Sequence, residues 1–300
     1  MRQFIRADAA LGALATLALQ ILHLGSVSGF VDLRGPGQRY QNTTIFTATD
    51  SYSEGPCLAS WAMAAAMAAS DEFSVKNGTV RRLSYQHVME CCTDCYDGLP
   101  NGCSGGNFLK AMNFLNAQGT VSGGGSIPIG VSCKGYSFRE CTLDPSKITG
   151  ALPFCDSADY DATRFSSTCR ATCDAQGAGT TEKYKLSTPM QVTTTSYVSS
   201  MENILNAGST NARALVTEMQ VYEDLQWYNA GDVYTHLWGR HIGSVAVVIY
   251  GYGQDPMTGL NFWLVRMPFG NSFGDGGYMK VHKGANACGI ENPGNSYYFS

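Results

Sequence analysis

No cluster of lysine or arginine larger than the pair Arg81 and Arg82 occurs in the 300 residues, and the formal charge is only −4. Neither a nucleic-acid surface nor an anionic membrane is therefore expected as a partner, because both need a concentrated positive field. Internal repeats, low-complexity tracts and long flexible linkers are also missing, which argues against a solenoid or a string of tethered modules. Beyond the first thirty residues no stretch is apolar enough to span a bilayer. Histidine is scarce, with five in the chain, so few side chains could serve as a general base near neutral pH. What is plentiful is apolar surface: 44% of the residues are hydrophobic, enough to fill one large core or two adjoining ones.

The first residues differ in kind from the rest. Arg2 and Arg6 precede the apolar run AALGALATLALQIL, and small residues follow in GSVSG, the layout of a secretory signal peptide over residues 1–29. A retained membrane anchor is the alternative, although the apolar run is short for spanning. On the first reading the mature chain begins near Phe30 and has no membrane contact once the signal is removed. All eleven cysteines lie between Cys57 and Cys288, a density that suits an oxidising compartment. Disulfides are the expectation, and no cofactor is. A zinc site at CCTDC, residues 91–95, is the competing reading, but no histidine follows at ligand spacing, so no metal is expected. The sequons at Asn42 and Asn77 would be glycosylated in the same compartment.

From Ser60 the run SWAMAAAMAASDEF is rich in Ala and Met and free of Gly and Pro, which predicts a buried helix opening at Ser60 and ending near NGT. From about residue 176 onward, segments such as MQVTTTSYV, VAVVIYGYG, LNFWLVRM and YMKVHKG alternate apolar and polar residues between Gly-rich turns. They predict a barrel or curved sheet, interrupted by a helix over SSMENILNAG, residues 199–208.

EGPCLASW, residues 54–61, resembles the QGSCGSCW segment around the nucleophile of the papain-family cysteine proteases. LSYQHVMECCTDC and NGCSGG are similar to that family's LSxQxLxDCC and GCNGG segments, GSVAVVIYGYG to GGHAVxIxGWG, and FWLVRMPFG to YWLVANSWG. The likeness runs from about residue 30 to 300 and is nearest to the cathepsin B branch, whose occluding loop opens with the cysteine spacing of CKGYSFREC. It implies an α+β, papain-like two-domain fold. A helical left part covers about 45–175, a β-barrel right part about 176–292 plus the N-terminal strand, and a cleft lies between them. It also implies the bridges Cys57–Cys103, Cys91–Cys169, Cys92–Cys95, Cys133–Cys173 and Cys141–Cys155, with Cys288 left free.

Carried over position by position, the resemblance implies a site without its chemistry. Ser60 stands where the family has its nucleophilic cysteine, and a hydroxyl is far harder to ionise than a thiol. Val245 stands at the general-base histidine, Met267 at the asparagine that orients it, and Phe269 at the shielding tryptophan. Glu54 replaces the oxyanion-hole glutamine, where a carboxylate would repel the developing charge. A second reading keeps the chain a peptidase, with His241 as base for Ser60. His236 and His282 read as surface or packing residues, His87 as structural, and His23 as part of the signal segment.

Specificity features drift as well. The occluding-loop histidines correspond to Leu143 and Asp144, and the acidic residue of the S2 pocket to Pro293. Gly105 and Gly106 match the glycines whose backbone pairs with an extended peptide, and Trp61 follows the nucleophile position as in the family. Only the signal-like segment precedes FVDLR, so the family's inhibitory propeptide is not expected. The expectation is a secreted or endolysosomal, non-catalytic binder of a peptide or protein in its cleft, such as a protease inhibitor or an active relative.

Overall fold

The computed structural model describes residues 30–41, 55, 57–98, 102–124, 132–138, 141, 154, 156, 165–170, 172–174, 181–193, 195–208 and 210–300. One compact unit extends over Val31–Ser300. Helix α1, Ser60–Asn77, is its axis. Ala and Met favour the helix, and no apolar stripe is marked off because almost every face is covered, with thirteen residues between Trp61 and Ser74 buried. Gly78, at φ 65°, ends it in the left-handed conformation that glycine adopts at least cost. Two shorter helices pack on α1: α2, Tyr85–Cys91, capped by Ser84, whose Oγ accepts from the His87 N–H, and α3, Phe108–Ala117, capped by Asn107.

The other side of α1 faces a sheet. Its strands are β1 (Val31–Asp32), β2 (Pro189–Gln191), β3 (Leu215–Tyr222), β4 (Val233–Tyr234), β5 (His241–Gln254), β6 (Asn261–Arg266), β7 (Tyr278–His282) and β8 (Tyr297–Phe299). They run in the order β2-β8-β3-β5-β6-β7-β4, with β1 added antiparallel to the end of β5. The long strand β5 carries the buried run Val245–Tyr250 against the helix. At Gly251 a Cβ would fall 1.9 Å from the Val31 carbonyl oxygen, so glycine is what lets the N-terminal strand pair there.

Two sequence expectations are corrected. The sheet is open: among the described residues β2 and β4, its outer strands, do not pair with each other. Closure needs a continuous ladder of consistent stagger, and edge strands of three and two residues, one beginning with Pro189, cannot supply it. The segment MQVTTTSYV is strand only as far as Gln191. The chain turns at Ser196, φ 50°, into helix α4, Tyr197–Leu205, which begins and ends earlier than expected.

Four of the implied bridges are formed: Cys57–Cys103, Cys91–Cys169, Cys92–Cys95 and Cys133–Cys173. The three sulfurs of CCTDC are thus in disulfides and not available as thiolate ligands. Cys141 is also disulfide-bonded, and Cys155 lies outside the described residues. Cys288 is free and buried. By restricting the unfolded chain, bridges of this kind typically contribute about 2–4 kcal/mol each.

Helix and sheet are also joined by buried acids. Asp71 on α1 is fully buried and accepts from the Tyr250 hydroxyl of β5 at 2.5 Å through Oδ2, while its Oδ1 has no partner among the described residues. Glu72 takes the Tyr40 hydroxyl and the Arg39 guanidinium. Burial pushes the Asp71 carboxyl well above the ordinary carboxylate range, and the nearby Glu72 adds to it, against the hydrogen bond from Tyr250 and the charge of Arg266. A carboxyl raised on folding favours the folded state most below its unfolded value, about 4, and that stability is lost as pH climbs toward the folded value. The unfolding temperature should therefore fall from pH 5 to pH 8, and Asp71→Asn should flatten that fall. Each 1 kcal/mol relieved would raise the pH 8 midpoint by about 2–4 °C in thermal melts.

Candidate functional site

Ser60 is the first residue of α1, and its Oγ accepts a hydrogen bond from the Ala246 N–H of β5 at 3.3 Å. That bond joins the position the resemblance assigns to the nucleophile with the strand that carries the base position. The positive field of the helix N-terminus and the Ala246 N–H both favour negative charge at Oγ. Neither takes a proton. Val245, the residue before Ala246, is buried at 3% exposure and pairs across the sheet with Met219. Met267 is fully buried one residue beyond β6, its N–H on the Gly277 carbonyl oxygen at 2.9 Å. Glu54 and Asn42 lie outside the described residues, as do Leu143 and Asp144.

Among the described residues, no histidine is hydrogen-bonded to Ser60 in the contacts the structure gives. His241 opens β5 as an exposed residue, edge-on to Tyr222 with ring centroids 5.5 Å apart. Four residues of extended strand separate it from Val245, a span of about 13 Å and beyond the reach of an imidazole. His236 stacks on Tyr222, with centroids 3.7 Å apart, and its Nδ1 meets the Asp224 carboxylate at 3.1 Å. Asp224 also takes the Tyr234 hydroxyl and the N–H groups of Leu237 and Trp238. Burial works against its ionisation, but these hydrogen bonds win and hold the carboxyl down at about 2. His87 is buried on α2 with Nδ1 3.0 Å from Thr120 Oγ1, and burial, with Lys183 and Lys134 nearby, lowers it to about 4. Burial likewise pushes the Cys288 thiol up to about 11, so it is a poor nucleophile at neutral pH.

Gly105 and Gly106 lie just before α3, next to Tyr96 and Trp61. Gly106 forms an isolated antiparallel bridge with Tyr96, bounded by Asp97 N–H to the Gly105 oxygen at 3.2 Å and Asn107 N–H to the Cys95 oxygen at 2.8 Å. In a bridge of that kind the central residue's own N–H and carbonyl point the other way. Among the described residues nothing takes them. The glycine also fits under Trp61, whose ring carbons would lie 2.7 Å from an added Cβ, and Trp61 Nε1 donates to the Gly102 oxygen at 3.3 Å. A mainly apolar cavity of about 410 Å³ lies at the start of β5, lined by Tyr222, Leu225, Ile242, Phe269 and Phe273, with Glu223 and Gln226. Sequence reading missed it because its walls come from segments spread between Val221 and Phe273, with no local pattern.

A central helix packed against a mostly antiparallel sheet, with Ser60 at the helix N-terminus held to the longest strand, matches the fold the resemblance implies. The chain matches the model of the papain family cysteine proteases over residues 39–298 and belongs to that family. It is 34% identical over 242 residues to Cathepsin B-like cysteine proteinase 4 of Caenorhabditis elegans, covering 80% of this chain and 67% of that protein. To Cathepsin B-like cysteine proteinase 3 of the same organism it is 32% identical, over 80% of this chain and 58% of the relative. The chain thus spans about two thirds or less of the length of these relatives. Among solved structures, proCathepsin B S9 from Trypanosoma congolense superposes with a TM-score of 0.66 at 24% identity, over 90% of this chain and 76% of that one. The bromelain protease of Ananas comosus, in complex with the E64 inhibitor, superposes with a TM-score of 0.58 at 21% identity, over 91% and 99%.

Placing a methyl group at Gly106 must displace Trp61 or the Cys95 carbonyl, 2.8 Å from the added Cβ. Gly106→Ala should cost about 1–3 kcal/mol, read as a lower midpoint in denaturant unfolding of the disulfide-intact protein.

Proposed function

We propose that this cathepsin B-like chain is a pseudoprotease that holds an extended peptide or protein segment in its cleft and does not cut it. The observation that carries the reading is Val245: the side chain at the base position is an isopropyl group, buried beside the Ser60–Ala246 hydrogen bond. Peptide cleavage by a hydroxyl needs a base to take its proton, and loss of a triad member removes most of the rate. Met267 at the orienting position and Glu54 at the oxyanion position point the same way. The free backbone edge of Gly106 supports binding, since an extended ligand gains affinity from main-chain pairing and specificity from side-chain pockets. The apolar cavity at Ile242 and Phe269 would take one such side chain. A protease inhibitor or an active relative fits this description, and the disulfides formed support a secreted or endolysosomal setting.

The second reading, a peptidase working through Ser60 and His241, is weakened by the span of β5 between His241 and Val245. Both readings meet in one assay: hydrolysis of a mixed fluorogenic peptide library by the unaltered chain and by Ser60→Ala, from acid to neutral pH. Equal silence is expected, and turnover that Ser60→Ala abolishes would overturn the proposal. The binding half is read from a matched pair of peptides, one N-methylated at the residue facing Gly106, the plain form binding at least tenfold more tightly.

A further inference from the structure

Of the four tryptophans in the chain, Trp61 and Trp263 are buried, whereas Trp227 and Trp238 are 67% and 54% exposed. The same stretch carries Leu237 at 82% exposure and Ile242 at 62%. Single exposed apolar residues are ordinary on a surface, but four large ones gathered on one face mark a site of contact.

The segments that carry them are tied together by main-chain bonds. Leu237 and Trp238 donate their N–H groups to the buried Asp224 carboxylate at 2.8 and 3.2 Å, and the Glu223 N–H reaches the Arg240 carbonyl oxygen at 3.1 Å. Gly239, at φ 93°, passes so close that an added Cβ would lie 2.8 Å from Glu223 Cβ. The single helical turn Glu223–Trp227 and the chain from His236 to Ile242 therefore form one platform, which the stacking of His236 on Tyr222 braces. Such a platform loses little freedom on association, and it holds its apolar side chains out in solvent before any partner arrives.

We propose that this face is where a second copy of the chain docks, forming a symmetric dimer. Charge favours a copy. Two molecules of net charge −4 repel one another in general, but here Arg240 and Glu223, the charged side chains among the apolar ones, are paired at 2.6 Å. Two copies can meet on such a face without opposing like charges, and in a two-fold contact each Arg240 can also approach the Glu223 of the other copy. Area favours it as well. The four side chains expose roughly 500 Å² of apolar surface, and with Arg240 the face approaches the ~800 Å² that each partner contributes to a standard interface. Tryptophan and arginine are also the residue types that dominate binding energy at such contacts. Ile242 lines the cavity at the start of β5, so a docked copy covers that cavity too.

The test is sedimentation equilibrium of the full disulfide-bonded chain, from low-micromolar to hundred-micromolar concentration. No peptide is present, so the outcome is independent of the cleft reading. The mass is expected to rise from one chain toward two, and Leu237→Ala combined with Trp238→Ala should weaken the association at least tenfold. The thermal midpoint of that variant, measured dilute, should match the parent, because both side chains point into solvent. Trp227→Ala, on the other segment of the platform, should weaken association by itself and gives a second reading of the face. Met257→Ala, equally exposed but at the far end of β5, should leave the mass unchanged. A monomer at every concentration, a dimer that neither platform variant weakens, or one that Met257→Ala weakens as much would overturn the site. A chain that stays monomeric but cosediments with phosphatidylcholine vesicles would overturn the second copy in favour of a lipid surface.

Discussion

The burial of α1 on all sides is the constraint on which the other features rest. A helix made of Ala, Met and Trp with no solvent stripe is stable only when covered by other elements, and here α2, α3 and β5 do so. Small side chains let β5 approach closely enough for the Ala246 N–H to reach Ser60 Oγ, and for the Tyr250 hydroxyl to reach Asp71 eleven residues further along. The polar contacts are thus set by the apolar packing. They register the helix against the strand at two points.

At the Ser60 end, the elements that favour charge are present and the residue types that would move a proton are not found at the matching positions. The helix field and a backbone N–H cost nothing to keep, because they follow from the fold. A general base is a side chain and can be exchanged for valine without disturbing the sheet, where a β-branched residue packs well. On the proposed reading, that asymmetry is how a papain-family chain keeps its architecture, its bridges and the glycine under Trp61 while the residues at the assigned reaction positions change.

Legibility in the sequence followed the range of the interactions. The start and end of α1 could be read from the Ala/Met run and from NGT, because helix propensity and a glycine cap are local. The paired cysteines were carried by the family likeness, since spacing among eleven cysteines does not fix partners. Closure of the sheet was misjudged: strand patterning reports alternation but not whether the outermost strands meet, and Pro189 together with the turn at Ser196 leaves β2 as a stub. The apolar cavity at Phe269 and the pairing of Arg39 and Arg213 with Glu72 were invisible, because their members are brought together only by tertiary packing.

The ion pairs of Glu72 with Arg39 and Arg213 carry a consequence for how the chain is made. The two arginines lie 33 residues before and 141 residues after the carboxylate, and among the described residues β1 pairs only with the end of β5. During synthesis from the N-terminus, the helical portion gains the partners for Cys57–Cys103 and Cys133–Cys173 early, although the face of α1 that β5 covers stays open. The N-terminal strand does not, and waits until residues past Tyr252 have emerged. Contacts of such long range are slow to form and leave apolar surface open meanwhile. Assembly of this molecule is therefore a delayed closure, in which a strand made before the helices docks after them.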